Sequence, residues 1–516
     1  MFWLKLLPPL RNKLLRFYLA GLCFVFLITA VHAQTYRKKI NDEYLIIQAP
    51  VLNYGETWIS GRNVSANFQN MSLKSRQIYF NQNLNKLSLR KGFELKAGLM
   101  TLTGDDLEYD LNQDYYLAED VTLKFLVLES KLKKLEYFKD HLEAKEFKIG
   151  TEVPKAGAVV KKAEVYPGVT VAKDTALYFE DYTLFYFPTL IYDQRRNYFL
   201  TTVPYPMLGA DRIRGPYLSH SIHYFLNPQN YGALNVSVSD IRGLGLGADH
   251  FFRFSDHTQF KASGTHWQKD EFQYYLGMRH DFLTLPPNDS KNFFDRYQYA
   301  AELSKIQAPY FTLDYSYREL INDEVINRKP EAAFNFGGQI GKSPFYLSYQ
   351  TSLAAIDEYL IPTVNTQWRS STRFKNSADL YYEEPRPFFN KQGYGLGYTN
   401  SNYFQLDGVW ERGYGYLTAS QKILFVNNTA KYTHYFFENG HSVFRFDQKY
   451  ALSDNITYTF YFPFWFLESM GATYLYDLKF NNLFNAIYFA QWNAGSVKPR
   501  IEFNSLRASI LFSVGF

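Results

Sequence analysis

The chain has 516 residues, with 55 Lys and Arg against 50 Asp and Glu, so its formal net charge is only +5. This near balance gives no support to nucleic-acid binding, which usually needs a strongly basic surface. Aromatic residues make up 19% of the chain although its mean hydropathy is −0.31. That combination is typical of transmembrane β-barrels, in which apolar side chains cover one face and aromatic girdles mark both interfaces.

The N-terminal 33 residues have the layout of a secretory signal peptide. Basic residues, Lys5, Arg11, Lys13 and Arg16, precede a short apolar run at 17–30, and Val31-His32-Ala33 resembles a cleavage site. The alternative is a membrane anchor, but the run is short for a spanning helix. Cleavage after Ala33 would remove Cys23, the single cysteine, so we expect a mature chain without disulfides or thiol chemistry. No later apolar run could form a spanning helix, so a membrane location would require a closed barrel.

Residues 42 to about 165 repeat with a period of 26 to 29 residues. Each unit has an apolar residue two positions before an aromatic one, then a polar turn and a second alternating strand. The four apolar and aromatic pairs are Leu52/Tyr54, Ile78/Phe80, Leu107/Tyr109 and Leu135/Tyr137. This period and alternation predict stacked strand–turn–strand units.

The alternation also predicts one continuous apolar face along the stacked strands. In residues 107–125 the members of that face share one parity: Leu107, Tyr109, Tyr115, Leu117, Val121, Leu123 and Phe125. The face is either the core of an ordinary sandwich or the lining of an open-sided trough that carries an amphipathic guest. The trough interpretation assigns the lining to Leu52, Tyr54, Ile78, Phe80, Leu107, Tyr109, Leu117, Val121, Leu135 and Tyr137. The residues alone leave both interpretations open.

Residues 197–516 predict a long series of antiparallel strands. Segments that alternate between apolar and polar residues are separated by turn signals such as Asn227-Pro228 and Asn439-Gly440. At roughly 15 residues per strand and turn, the region holds about 20 strands. A soluble sheet of that breadth usually splits into sandwiches or propeller blades, and no blade-like repeat is visible. We therefore expect an antiparallel transmembrane β-barrel.

The segment from 176 to 240 resembles the LptD (OstA/Imp) family of outer-membrane proteins, which assemble lipopolysaccharide. The matching residues are Tyr186-Phe187-Pro188, Arg195-Arg196, Tyr198-Phe199-Leu200, Pro204, Gly215-Pro216-Tyr217 and Asn227-Pro228. The upstream repeats are similar to the OstA-type units of that family, best seen at Leu52-x-Tyr54 followed by Gly61-Arg62-Asn63-Val64. The final RASILFSVGF looks like the terminal-strand signal that the barrel assembly machinery reads.

The resemblance implies four segments: a signal peptide at 1–33, a periplasmic OstA-like β-jellyroll at 34–178, a junction at 179–196 and an outer-membrane β-barrel at 197–516. It implies that lipopolysaccharide arrives from a periplasmic LptA-like bridge protein, slides along the trough and enters the outer leaflet through a seam between the first and last barrel strands. The junction residues would be Tyr186, Phe187, Pro188, Arg195 and Arg196. The lateral gate would be formed by Pro204, Pro206, Pro216, Tyr217, Phe512, Val514 and Phe516, since prolines belong on weakly paired strands.

The chain departs from the family pattern in two respects. Better-studied members tie the two domains together with cysteine pairs, which this mature chain would lack, so packing near 182–192 is expected to orient them. The barrel also looks short, which leaves open whether an LptE-like lipoprotein plugs its lumen.

Neither enzymatic activity nor a cofactor is expected. Ser219 and His220 point to opposite faces of a strand, no Cys, His, Asp and Glu residues have metal-ligand spacing, and a Ser221–His223 pair is the one catalytic contact left open. The alternative function is a passive porin or receptor-type channel with a periplasmic β-domain.

Overall fold

The computed structural model describes most of the chain from Ala33 to Gly515. The exceptions inside that range are 99, 126–127, 153–154, 180–181, 194, 196–205, 212–213, 270–271, 283–292, 306–307, 322–323, 360–367, 385–389, 406–407, 440–443, 445–453, 465–466, 493–497 and 506–508. The predicted signal peptide up to residue 32, together with Arg196, Tyr198-Phe199-Leu200, Pro204 and Phe516, lies outside the described residues.

The described residues are almost entirely β-structure in two antiparallel sheets, as the sequence predicted. They divide into two compact units. The first unit runs to Phe147 and also includes Ser290–Arg296, and the second takes Lys148–Asp289 and the residues from Tyr297 onward. The domain limits predicted from the sequence, at 178 and 196, do not coincide with the limits of these two units.

The first sheet contains β1 to β14, hydrogen-bonded in the order β1-β2-β4-β5-β6-β7-β9-β10-β11-β12-β13-β14, with β3 paired to β4 and β8 paired to β6 and β9. The strands are β1 Gln34–Ile40, β2 Glu43–Ala49, β3 Leu52–Tyr54, β4 Trp58–Phe68, β5 Met71–Asn81, β6 Lys86–Ala97, β7 Met100–Gly104, β8 Leu107–Asp110, β9 Tyr115–Phe125, β10 Leu128–Tyr137, β11 Leu142–Glu152, β12 Lys155–Tyr166, β13 Val169–Phe179 and β14 Tyr182–Asp193.

The repeat is visible in the backbone as well as in the side chains. A non-glycine residue with positive φ recurs within the long strands at intervals of 28, 29, 26 and 28 residues, at Asn63, Lys91, Asp120, Glu146 and Asp174. At several of these points one residue of each strand is left out of the ladder. Leu132 pairs with Val121 and Lys134 pairs with Glu119, so Asp120 between them is left out of the register. Such interruptions let a strand bend sharply.

The line of bends divides the strands of the first unit into two halves. Tyr109 lies on β8, which pairs with β6 before Lys91, whereas Phe68 lies on β4 after Asn63. Their rings nevertheless pack at right angles, with centroids 6.1 Å apart. The sheet therefore folds over along this line, and its two halves enclose an apolar interior.

The second sheet contains 18 strands in sequence order among the described residues, β15 to β32, where about 20 were expected. Each strand pairs with its neighbours, and the series of pairings returns from β32 to β15. The strands are β15 Met207–Asp211, β16 Gly215–Asn227, β17 Asn230–Ser239, β18 Gly243–Arg253, β19 Thr258–Trp267, β20 Gln273–Asp281, β21 Tyr310–Ile321, β22 Glu324–Gln339, β23 Phe345–Tyr359, β24 Trp368–Glu383, β25 Asn390–Gln405, β26 Gly408–Ile423, β27 Val426–Asn439, β28 Asn455–Phe464, β29 Leu467–Asp477, β30 Asn482–Trp492, β31 Lys498–Asn504 and β32 Ser509–Gly515.

One helix, α1 at Phe293–Lys305, interrupts the connection between β20 and β21. The strand patterning of this region did not predict it. Across the described ranges, no helix combines the length and apolar character needed to cross a membrane.

Candidate functional site

The interior of the first unit holds most of the predicted lining residues. Seven of them are at most 1% exposed: Ile78, Phe80, Leu107, Tyr109, Val121, Leu135 and Tyr137. Leu52 is also buried, whereas Tyr54 is 60% exposed and lies outside the interior. The lining is therefore tightly packed, and a guest could enter only if the two halves of the folded sheet moved apart.

The prediction of a single parity along 107–125 was wrong in part. Tyr116 pairs with Tyr109, and Ala118 pairs with Leu107, so these residues face the interior, whereas Leu117 lies on the opposite side. The turn between β8 and β9 shifts the parity, and the bend at Asp120 shifts it back, which returns Val121 to the interior. A parity argument cannot cross a bend of this kind.

A column of aromatic rings crosses the interior. Phe68 packs on Tyr109, Tyr109 packs on Tyr116 at 5.7 Å, and Tyr116 stacks on Tyr137 with centroids 4.6 Å apart and an angle of 8°. The buried carboxylate of Asp114 accepts hydrogen bonds from Tyr109 Oη at 2.6 Å and Tyr137 Oη at 3.2 Å. These bonds fix two of the rings, and the column gives this end of the interior a flat, apolar wall.

The stability of the first unit should fall as the pH rises above about 10. Burial raises the pKa of Tyr109, Tyr116 and Tyr137, and the neighbouring Asp114 carboxylate raises it further. Unfolded tyrosines lose their proton near pH 10 whereas these three keep it, so the unfolded state gains about 1.4 kcal/mol per pH unit for each tyrosine. The measurement is the urea unfolding midpoint of the full chain at pH 8 and pH 11. Replacing the three tyrosines with Phe should shrink the difference between the two midpoints, and an unchanged difference would contradict the prediction.

The predicted junction residues lie on β14 and just after it. Tyr186 is 56% exposed and donates to Asp174 Oδ1 at 2.5 Å, whereas Phe187 is buried in a cluster with Leu177 and Met207. Pro188 follows Phe187 and lies opposite Asp174 of β13. Neither residue is part of the ladder between β13 and β14. A proline is tolerated there because no ladder hydrogen bond is required.

A second cluster joins β13 and β14 to the second sheet within the second unit. Val169, Val171 and Ile191 pack against Tyr231 of β17 and Phe251 of β18. The sequence pointed to the aromatic run as the packing element, but its partners on β17 and β18 carry no local signal. They could be found only from the tertiary structure.

Arg195 occupies a buried site beside this cluster. Its guanidinium pairs with Asp193 through Nε at 3.0 Å and Nη2 at 2.9 Å, and Nη2 also donates to the Pro228 carbonyl at 2.7 Å. Tyr231 Oη donates to the same Asp193 carboxylate. The side chain of Asp193 is 0% exposed and that of Arg195 is 11% exposed, so Arg195 acts here as a structural cation rather than one presented to solvent.

The seam between the first and last strands of the second sheet is thinly paired. Among the described residues, β15 pairs with β32 only at Leu208↔Phe512 and Gly209↔Leu511. By contrast, β16 and β17 share ten pairs. Pro206 immediately precedes β15 rather than lying within it, and Pro216-Tyr217 begins β16 opposite Gly209 and Ala210. Val514 pairs with Pro499 of β31.

The two faces of the second sheet differ sharply in character. One face presents large apolar side chains to solvent in register across neighbouring strands. Leu218 (45% exposed) pairs with Val238 (53%), and Val238 pairs with Leu244 (43%). The same character continues at Leu246, Leu276, Leu313, Phe336, Leu353, Leu396, Leu417, Ile456 and Ile501, each 38–62% exposed.

The opposite face is polar, charged and buried. Arg328 contacts the carboxylates of Asp314 at 3.7 Å and Glu331 at 3.2 Å as well as Glu319, and Glu331 also pairs with Arg373 at 2.9 Å. This network links β21, β22 and β24.

An apolar cluster covers part of this polar face. Phe444, which is fully buried, packs on Tyr403 at 5.8 Å, and Tyr403 contacts Trp410 at 4.7 Å. Ile326, Ala354 and Ile356 complete the cluster. Phe444 was not identified from the sequence, because nothing in its local pattern indicates that it packs on Tyr403 and Trp410.

The remaining catalytic candidates have structural partners. Ser221 Oγ donates to Asn235 Oδ1 at 2.7 Å, and His223 Nδ1 accepts the Ile191 N–H at 3.3 Å. Within the described ranges, no three His, Cys, Asp or Glu side chains are grouped closely enough to hold a metal ion. Neither a protein-family model nor any curated protein matches the chain, so its function has to be inferred from the geometry described above.

Proposed function

We propose that this chain is an LptD-like translocon that inserts lipopolysaccharide into the outer leaflet of a Gram-negative outer membrane. In this proposal β15–β32 form the transmembrane barrel, and the repeat strands lie in the periplasm. The protein performs no chemistry and is driven from elsewhere. The observation that carries the proposal is the contrast between an exposed apolar face and a buried charged face on the same sheet.

The physical reason is the free energy that an exposed apolar face costs in water. Burying apolar area is worth about 25 cal/mol per Å², so a wide band of exposed Leu, Val and Phe side chains is unfavourable in an aqueous setting. A contiguous apolar surface of this kind marks contact with lipid or protein. Because every strand from β15 to β32 has a neighbour on both sides, a membrane would meet few unsatisfied backbone groups.

The folded first unit supports a role for the repeats as a lipid path. Its interior is lined by large apolar side chains from two halves of one sheet, hinged along a line of bends. Acyl chains would replace the contacts between the two halves when these separate. At its start, β1 has β2 as its one partner among the described strands, so its other edge could accept a strand from an LptA-like bridge protein.

The seam supports lateral exit. Among the described residues, separating β15 from β32 breaks fewer ladder hydrogen bonds than separating β16 from β17, which favours opening at this boundary. Acyl chains would pass through the seam while the saccharide moves along the polar face. An LptE-like plug remains a prediction, and the apolar cluster around Phe444 lies on the polar face that such a plug would meet.

Depletion of the protein tests the function directly. We expect newly made lipopolysaccharide to stop reaching the cell surface, because the seam is its proposed route into the outer leaflet. The measurement is labelling of surface lipopolysaccharide by a membrane-impermeant reagent in cells in which expression has been switched off.

Re-expression of the wild-type chain is the control and should restore the label. Normal surface lipopolysaccharide after full depletion would reject the translocon. Loss of small-solute uptake in the same cells would then favour the passive porin or receptor-type channel.

A further inference from the structure

The start of helix α1 closes the interior of the first unit from outside the repeat. Phe293 belongs to this unit, although it follows β20 in the chain. It is 1% exposed, and its ring meets that of Tyr137 edge-on, with centroids 6.0 Å apart and an angle of 81°. Phe293 therefore adds a fifth ring to the column Phe68–Tyr109–Tyr116–Tyr137.

Two neighbouring side chains bind this segment to turns from both halves of the folded sheet. Asp295 accepts from Asn70 Nδ2 with both carboxylate oxygens at 2.8 Å. Arg296 Nη2 donates to the Lys139 carbonyl at 2.6 Å. Asn70 lies in the turn after the second half of β4, whereas Lys139 lies in the turn after the half of β10 that carries Tyr137. The segment 293–296, here called the clasp, thus spans the two halves that have to separate to admit a guest.

We propose that the clasp is an autoinhibitory occupant of an acyl-chain site, and that the ligand displacing it is an anionic amphiphile. This inference rests on the proposed function. Phe293 occupies the place of an acyl chain against the aromatic column. The anionic group of the ligand would meet the exposed Lys139, which stays in place when the clasp leaves.

The chemistry of the site fits a replaceable occupant. The hydroxyl of Tyr116 is buried and has no hydrogen-bond partner in the described part of the chain. The clasp therefore leaves a polar atom unsatisfied that a ligand with oxygen atoms could satisfy. The hydrogen bonds to Asn70 and Lys139 are solvent-exposed, and exposed contacts of this kind are weak.

The clasp is covalently part of the chain, so it competes with a ligand as a tethered segment. A tethered segment has an effective concentration in the mM range, so it reoccupies the site whenever no ligand is present. A ligand has to outcompete it, and the interior stays closed to water and stray lipid between transport events.

The test uses the full chain in lipid vesicles with a diazirine-bearing fatty acid as the probe. After illumination, mass spectrometry maps the label to peptides of β9 and β10. We expect Asp295→Ala combined with Arg296→Ala to raise labelling of these peptides by about three- to tenfold, because weakening the clasp increases the population of the open state. The matched control is Glu94→Ala with Lys96→Ala, which removes an exposed ion pair of 2.8 Å in the same unit and should leave labelling unchanged.

Asn70→Ala provides a second variant if the double variant does not fold, and it should raise labelling in the same direction. Unchanged labelling in a folded variant overturns the clasp, even if lipopolysaccharide transport proceeds normally. Raised labelling in a chain whose depletion leaves surface lipopolysaccharide intact supports the clasp and rejects the proposed function. The two failures are therefore distinguishable.

Discussion

Lipopolysaccharide is expected to stop reaching the cell surface when β15 is covalently joined to β32. The change is Leu208→Cys combined with Phe512→Cys, followed by oxidation. These residues are Cα partners at the seam, and antiparallel partners lie about 4.5–5.5 Å apart, within the range that a disulfide spans. Lateral exit requires the seam to part, which the covalent bond prevents. The measurement is labelling of surface lipopolysaccharide before and after reduction, with reduction expected to restore it.

The matched control places the same bond elsewhere in the sheet. Leu218→Cys with Val238→Cys joins β16 to β17 at Cα partners on the exposed apolar face. Transport should continue in that variant, because β16 and β17 need not separate. Normal transport with the seam bond fully formed, shown by mass spectrometry without reduction, would reject lateral exit between β15 and β32.

Asp193→Ala is expected to destabilise the second unit by about 3–5 kcal/mol, the usual cost of leaving one partner of a buried ion pair alone. Arg195 would keep its buried position and the Pro228 carbonyl but lose both bonds to the carboxylate, and Tyr231 would lose its acceptor. The measurement is the urea unfolding midpoint of the full chain in lipid vesicles. The effect should be large because the carboxylate of Asp193 is fully buried and accepts hydrogen bonds from both Arg195 and Tyr231.

Asp174→Asn is the control for this experiment, because Asn removes the charge and tolerates the positive φ of this position. Asp174 also carries a carboxylate in the same region, but its side chain is 46% exposed, and its partners are Lys161 at 3.8 Å and the hydroxyl of Tyr186. Exposed pairs contribute about 0–1 kcal/mol, so the midpoint should change little. Equal effects of the two substitutions would show that the buried Asp193–Arg195 pair does not stabilise the second unit.

Most interior residues of the repeat could be predicted from the sequence. The apolar and aromatic pairs identified the stacked strands and most of the interior residues, because each strand repeats the same local alternation. The pattern failed at Tyr54, which lies outside the interior, and at Leu117, where a turn and a bend change the parity. A bend depends on one residue adopting positive φ, and Lys91 or Glu146 at such a position is not recognisable from residue type.

Fewer residues of the candidate site could be identified from the sequence. The resemblance assigned Pro216 and Phe512 to the seam, and in the structure their strands, β16 and β32, pair with β15 on its two sides. Phe293 and Phe444 were not identified, since each packs on residues far away in the chain. Arg195 was predicted as a junction residue, but nothing in the sequence indicated that it is buried against Asp193 and Tyr231.

The amino-acid sequence alone was enough to predict an all-β protein, with a repeat section followed by a long run of alternating strands. Alternation, turn residues and period are local properties that the chain displays without folding. The three-dimensional structure was needed to show that the repeat sheet folds over on itself, that β15 and β32 share two residue pairs in the described ranges, and that Phe293 closes the interior. Those features depend on contacts between residues up to hundreds of positions apart, whose free energy no local pattern records.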